Sequence, residues 1–127
     1  MTLTLSERIL SHAAGRTVRA GELAVVEVGR AMDVDSLAPE VIQVLQQELG
    51  VTQVPHPERC VVFVDHVAPA SNVATAEGQI QARSFAREQG IAAVYESGCG
   101  ICHQLMVQEH LVEPGMVAIG SDSHRTT

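Results

Sequence analysis

Five consecutive apolar residues, Cys60-Val61-Val62-Phe63-Val64, run without a single polar alternation. A strand with one face in water alternates apolar and polar side chains, because successive residues point to opposite faces. A β-branched run without alternation needs cover on both faces, which is the condition of a strand inside a parallel sheet. Parallel neighbours cannot be joined by a tight turn, so crossover segments, usually helices, must lie between them. Composition says what fills the core: apolar residues make up 46% of the chain and aromatic ones only 2%. Valine, isoleucine, leucine and alanine must therefore do the packing, which suits a valine-rich sheet under alanine-bearing helices.

The remaining segments fit that scheme. Leu5 to Gly15 reads as a short helix with Gly15 as its stop. Leu23-Ala24-Val25-Val26-Glu27-Val28 reads as a strand ended by Gly29. A helix then follows Asp33-Val34-Asp35-Ser36, with Asp35 or Ser36 as its cap, Pro39 in its first turn and Leu49-Gly50 at its close. Pro55-His56-Pro57 is a rigid link into the apolar run. A long helix from about Ser71 to Gln89 ends at Gly90, its turns marked by Val73, Glu77, Ile80, Ser84 and Arg87. Ile91 to Tyr95 is a short strand, Ser97-Gly98-Cys99-Gly100 a turn, Ile101 to Glu109 a short helix, and Met116 to Ile119 a final strand. The expected fold is an α/β, three-layer α/β/α arrangement with an open, mainly parallel sheet, and residues 1–127 form one domain or partial domain. The chain stops at Arg125-Thr126-Thr127, just past a strand exit, which predicts a truncated sequence or a peptide that needs a partner.

Charge narrows the partners. The net charge is -7, from 15 acidic and 8 basic residues, so the surface lacks the basic footprint of a nucleic-acid binder. The opening residues hold no basic leader, and no apolar segment reaches membrane-spanning length. Three cysteines do not make a secreted disulfide framework. A cytoplasmic location is expected.

Three polar clusters follow apolar strands or glycine turns: Asp65-His66, Cys102-His103-Gln104 and Asp122-Ser123-His124. Open α/β sheets gather their sites beyond the strands' carboxyl ends. Histidine moves protons near neutral pH, and a neighbouring carboxylate fixes its tautomer and favours its charged form. Asp65, His66, His103, Asp122 and His124 are therefore expected at one edge of the sheet, as acid–base groups for an anionic substrate. Taken singly, each cluster is better explained by capping and turn hydrogen bonds; the three together tip the balance towards a site. Cys99-Gly-Ile-Cys102 has the spacing of a redox pair or half a metal site, with His103 as a further ligand, but no second pair accompanies it.

At these clusters the sequence resembles the start of the large subunit of the aconitase-type hydro-lyases, in particular the 3-isopropylmalate dehydratase and homoaconitase branch. The likeness is carried by Ala31 through Pro39, Val64-Asp65-His66-Val67-Ala68-Pro69, Gly100-Ile101-Cys102-His103-Gln104 and Gly120-Ser121-Asp122-Ser123-His124. Leu111-Val112-Glu113-Pro114-Gly115 resembles the approach to the last of these.

The resemblance implies removal and re-addition of water on a 2-hydroxy polycarboxylic acid, at an interface around a [4Fe-4S] cluster. It gives Asp65-His66 the task of assisting hydroxyl departure and makes His103 and the Asp122/His124 pair further catalytic groups. Asp35, Ser123 and Arg125 fall in the substrate environment. Val34, Leu37 and Arg125 depart from the residues usual at those motif positions. The family's cluster cysteines lie beyond this length and its serine base lies on a separate small subunit or swivelling domain. This chain alone is thus expected to hold no metal or cofactor, to be inactive, and to associate with itself, with a small subunit or with a further large-subunit region. The other functions to weigh are a non-enzymatic regulatory or assembly protein derived from the family, and a small metal or redox domain built on Cys99, Cys102 and His103.

Overall fold

The computed structural model describes residues 2–123 of the chain. Its sheet contains four strands: β1 (Arg30–Val34), β2 (Cys60–Phe63), β3 (Ala93–Tyr95) and β4 (Ala118–Gly120), in the order β3-β2-β1-β4. All pairings are parallel, with Met32 beside Val61 and Gly120, and Val62 beside Val94. Four α-helices accompany them: α1 (Leu5–Ala14), α2 (Ala38–Gln43), α3 (Val73–Gln89) and α4 (Cys102–Gln108).

The unalternated apolar run does what its composition requires. Val61 and Phe63 face one side and pack with Met32, Val34 and the α4 residues Cys102, Leu105 and Met106. Val62 faces the other side and packs with Ala38 and Ile42 of α2, Ala82 and Ala86 of α3, and Ile91. Two apolar layers on opposite faces of one sheet make the three-layer α/β/α fold. Phe63 also stacks on Tyr95, ring centroids 5.2 Å apart.

The chain steps from β1 to β2 to β3 in one direction, then β4 returns to the far side of β1. The order reverses beside β1, and such a reversal opens a crevice beyond the strands' carboxyl ends. Four strand exits meet there.

Local signals set the helix ends. Thr4 caps α1, its hydroxyl accepting from the Glu7 amide while the Glu7 carboxylate accepts from the Thr4 amide. Gly15 takes the left-handed conformation at the other end, φ 64°. Asn72 caps α3 through the Thr75 amide, and Gly90 closes it. The buried face of α3 is Gln79, Ala82, Ala86 and Gln89, whereas Val73 and Ile80 are exposed. Gln89 accepts from the Val54 amide and donates to the Thr52 carbonyl, tying down the stretch that precedes β2.

Two expectations need correction. No strand forms over 23–28; Leu23 and Val25 are 94% and 91% exposed. The first strand is Arg30–Val34, because its register satisfies β2 on one side and β4 on the other. Neither Asp35 nor Ser36 caps α2: Leu37 occupies that position without a side-chain bond, and the helix passes into a wide turn at Val44–Glu48. Among the described residues no helix is long and apolar enough to cross a membrane.

Candidate active site at the carboxyl ends of the strands

Beyond β2, the Val64 amide donates to the Tyr95 carbonyl, carrying the ladder one residue further before the chain turns out through Asp65 and His66. Beyond β3, the turn at Glu96–Gly100 delivers the first residues of α4, Cys102 and His103. Beyond β4 come Ser121, Asp122 and Ser123. Asp33 and Asp35 stand at the end of β1.

These exits place Asp65, His66, His103 and Asp122 in one group. His66 Nδ1 lies 2.9 Å from Asp65 Oδ1, and His66 Nε2 lies 3.7 Å from Asp122 Oδ1. Asp122 Oδ2 is 2.6 Å from His103 Nε2. An ionised carboxylate only accepts, so Nδ1 of His66 and Nε2 of His103 are the donating nitrogens. Both carboxylates are almost covered, each 7% exposed, while the imidazoles are 32% and 41% exposed. The acids thus sit underneath and hold the rings, and the rings face the crevice.

Burial opposes protonation of His66, but its bond to Asp65 and the negative charges of Asp65, Asp122 and Asp35 outweigh that cost and raise its pKa above the usual histidine value. Asp65 has a second task. Its Oδ2 accepts from the Cys102 amide at the start of α4, where the helix's own capping position, Ile101, offers no side-chain bond. Burial, and then the bond and charge of Asp65, push the Cys102 thiol up to about 12. That thiol stays protonated, which makes it a poor nucleophile and redox partner. Cys99, its partner in the C-x-x-C spacing, is exposed, and both thiols are free.

Of the other expected residues, Ser123 is at the β4 exit and exposed. Asp35 is only 4% exposed and lies behind His66, accepting from the His66 amide at 3.1 Å and from Gln79 Nε2 at 2.9 Å. His124 and Arg125 lie outside the described residues. Sequence reasoning missed the Asp33–Ser121 contact, in which the serine hydroxyl donates over 2.6 Å and locks the exits of β1 and β4 together. It also missed Gln79, an amide on the buried face that α3 forms with Ala82, Ala86 and Gln89.

Two overlapping sets, Asp65/His66/Cys102 and Cys102/His103/Asp122, bring ligand-type atoms within 4.8 Å of one another and could hold a metal ion. They do not fit a four-iron cluster, which needs converging thiolates: each set contains one cysteine, Cys60 opens β2 at the opposite end of the strand, and Cys99 belongs to neither set.

The family model described as the aconitase family (aconitate hydratase) matches residues 7–127. The homoaconitase large subunit of Thermus thermophilus is 46% identical over 127 residues, 100% of this chain and 30% of that protein. The 3-isopropylmalate dehydratase large subunit of Herpetosiphon aurantiacus is 46% identical over 99% of this chain and 30% of its own length. Large subunit 1 of the Deinococcus radiodurans 3-isopropylmalate dehydratase is 47% identical over 98% and 28%. The chain therefore spans about 30% of the length of the curated relatives it matches. The family model covers nearly the whole chain, and this chain belongs to the aconitase family.

Proposed function

We propose that this chain forms the first α/β unit of a hydro-lyase large subunit and supplies one acid–base wall of its active site. The substrate class is a 2-hydroxy polycarboxylic acid of the 3-isopropylmalate or homocitrate/homoaconitate type, isomerised by dehydration and rehydration. The observation that carries the reading is the sharing of Asp122 between two imidazoles, one of them already held by Asp65.

In this reading His66 delivers a proton from Nε2 to the departing hydroxyl, so that the carbon–oxygen bond breaks and water leaves. Asp65 fixes the ring through Nδ1 and stabilises its charged form; Asp122 holds His103 in the orientation that faces the same crevice. The proton on the adjacent carbon goes to a base outside this chain, which the family resemblance places on a small subunit or swivelling domain. The cysteines here do not form a cluster site, so cluster ligands also come from elsewhere in the assembled enzyme. The family resemblance also gives His124 a catalytic role and Ser123 and Arg125 a part in binding the substrate. On its own the chain is inactive.

The test is a graft. Residues 1–127 replace the matching segment of the Thermus thermophilus homoaconitase large subunit, and hydration activity is measured with its small subunit. The graft is expected to be active, and His66→Gln and His103→Gln in it to lose roughly 100-fold or more, the scale of a lost general acid or base. A folded, assembled graft without activity, or a His66→Gln graft that turns over normally, would refute the proposal.

A further inference from the structure

The acid–base wall explains Asp65 and Asp122 but leaves another carboxylate unexplained. Asp35 is 4% exposed and Gln79, opposite it on α3, is 6% exposed. A buried carboxylate persists only where donors replace its lost water, and three donors reach Asp35. Asp35 Oδ1 accepts from the His66 amide at 3.1 Å. Its Oδ2 accepts from the Val67 amide at 3.4 Å and from Gln79 Nε2 at 2.9 Å. The same Gln79 nitrogen donates to the Val67 carbonyl at 2.8 Å. A closed ring results: the exit of β1, the exit of β2 and the middle of α3 are joined through one carboxylate and one amide.

The ring closes on the backbone of the residue whose imidazole must meet both Asp65 and Asp122. Asp65 is itself held by the Cys102 amide, but its bond to Nδ1 fixes one nitrogen of the ring and not the backbone that carries it. Only a fixed backbone at His66 and Val67 makes the 3.7 Å approach to Asp122 reproducible. We infer that Asp35 and Gln79 are a positioning pair for His66, setting its imidazole through the backbone rather than by touching substrate. The importance of that position rests on the catalytic reading above; the positioning itself does not.

The experiment therefore uses this chain and no activity measurement. Backbone amide exchange and the imidazole nitrogen signals of His66 and His103 are followed by NMR in the parent, in Asp35→Asn and in Gln79→Met. Asp35→Asn places an amide where the ring requires an acceptor. The His66 and Val67 amides should then exchange roughly tenfold faster or more, as expected for a lost bond to a buried charged acceptor. His66 ring signals should shift most, those of His103, which meets the other oxygen of the shared Asp122, should shift less, and the α1 amides should stay in place. A purely structural role would move both histidines equally or neither. Gln79→Met retains length and removes the donors; it should release Val67 and shift His66 to a smaller extent, and it carries the test if Asp35→Asn does not fold. Unchanged His66 signals and exchange in the folded variants, or equal displacement of His66 and His103, would overturn the inference. Should the graft fail while these shifts occur, the catalytic reading falls and the positioning stands.

Discussion

Replacing Asp65 by asparagine separates the two tasks assigned to that side chain. The carboxylate is 7% exposed and serves His66 Nδ1 on one oxygen and the Cys102 amide on the other, with the Cys102 thiol as a further donor. Asparagine keeps one acceptor oxygen and turns an amide towards the remaining donors. The lost partner is a hydrogen bond to a charged group, worth about 1.5–3 kcal/mol. The loss of negative charge at the start of α4 adds about 0.3–1 kcal/mol. His66 is partly exposed and can recover a bond to water, so the sum stays near the lower half, about 2–3 kcal/mol. With a urea slope of about 1–3 kcal/mol/M for a domain of this size, the unfolding midpoint should fall by about 0.7–3 M. Urea titration followed by circular dichroism measures it, with Glu96→Gln as the control. Glu96 pairs with Arg83 at 2.7 Å on the surface, where the two side chains are 50% and 36% exposed; such pairs contribute about 0–1 kcal/mol. An Asp65→Asn midpoint no lower than that of Glu96→Gln would refute the claim that Asp65 caps α4.

Four further outcomes follow. The folded-state pKa of His66 is raised, so its stabilisation is complete below the usual histidine value and lost as pH rises through the raised one; urea midpoints across that range should fall in the parent and lose this component in His66→Gln. Iodoacetamide at pH 8 should modify Cys99 well before Cys102, whose thiol is buried and pushed up to about 12, as peptide mapping would show. Anaerobic iron–sulfur reconstitution should give neither a stoichiometric four-iron spectrum nor dehydratase activity; a four-iron signal requiring Cys99 and Cys102 would contradict the fit described here. In sedimentation velocity the chain should associate across a dilution series, because β4 is an edge strand and an apolar groove lined by Val41, Leu45, Val51, Phe85 and Ile119 lies beside it; a monomer at every concentration would oppose this.

Much of the scaffold was legible in the sequence because the signals were local. The apolar run at 60–64, the helix stops at Gly15 and Gly90, and the position of α4 after a glycine turn each depend on a few adjacent residues. The strand expected over 23–28 failed for a non-local reason. Its apolar residues are as suitable for a strand as those at 30–34, but only the latter find partners on both sides. Asp33 and Asp35 make β1 look like a loop in the sequence; Ser121, Gln79 and the 66–67 amides, all distant, are what make those acids compatible with a strand end. In the site, the Asp-His pairing of neighbours was readable, whereas the bond from Asp122 to His103 and the burial of the Cys102 thiol emerge only when β4 pairs with β1 and α4 packs over β2.

The return of β4 across β1 has a kinetic side. Asp35 and His66 are 31 positions apart, while Asp33 and Ser121 are 88 apart. By the logarithmic law for closing loops, the longer closure costs about 1 kcal/mol more chain entropy. The β1–β2 and β2–β3 pairings close shorter stretches of chain than the β1–β4 pairing, which makes them the cheaper ones to form first. β4 gives no residue to either buried apolar cluster yet leads directly to Asp122, so loss of its pairing with β1 would leave the core and take away half of the site.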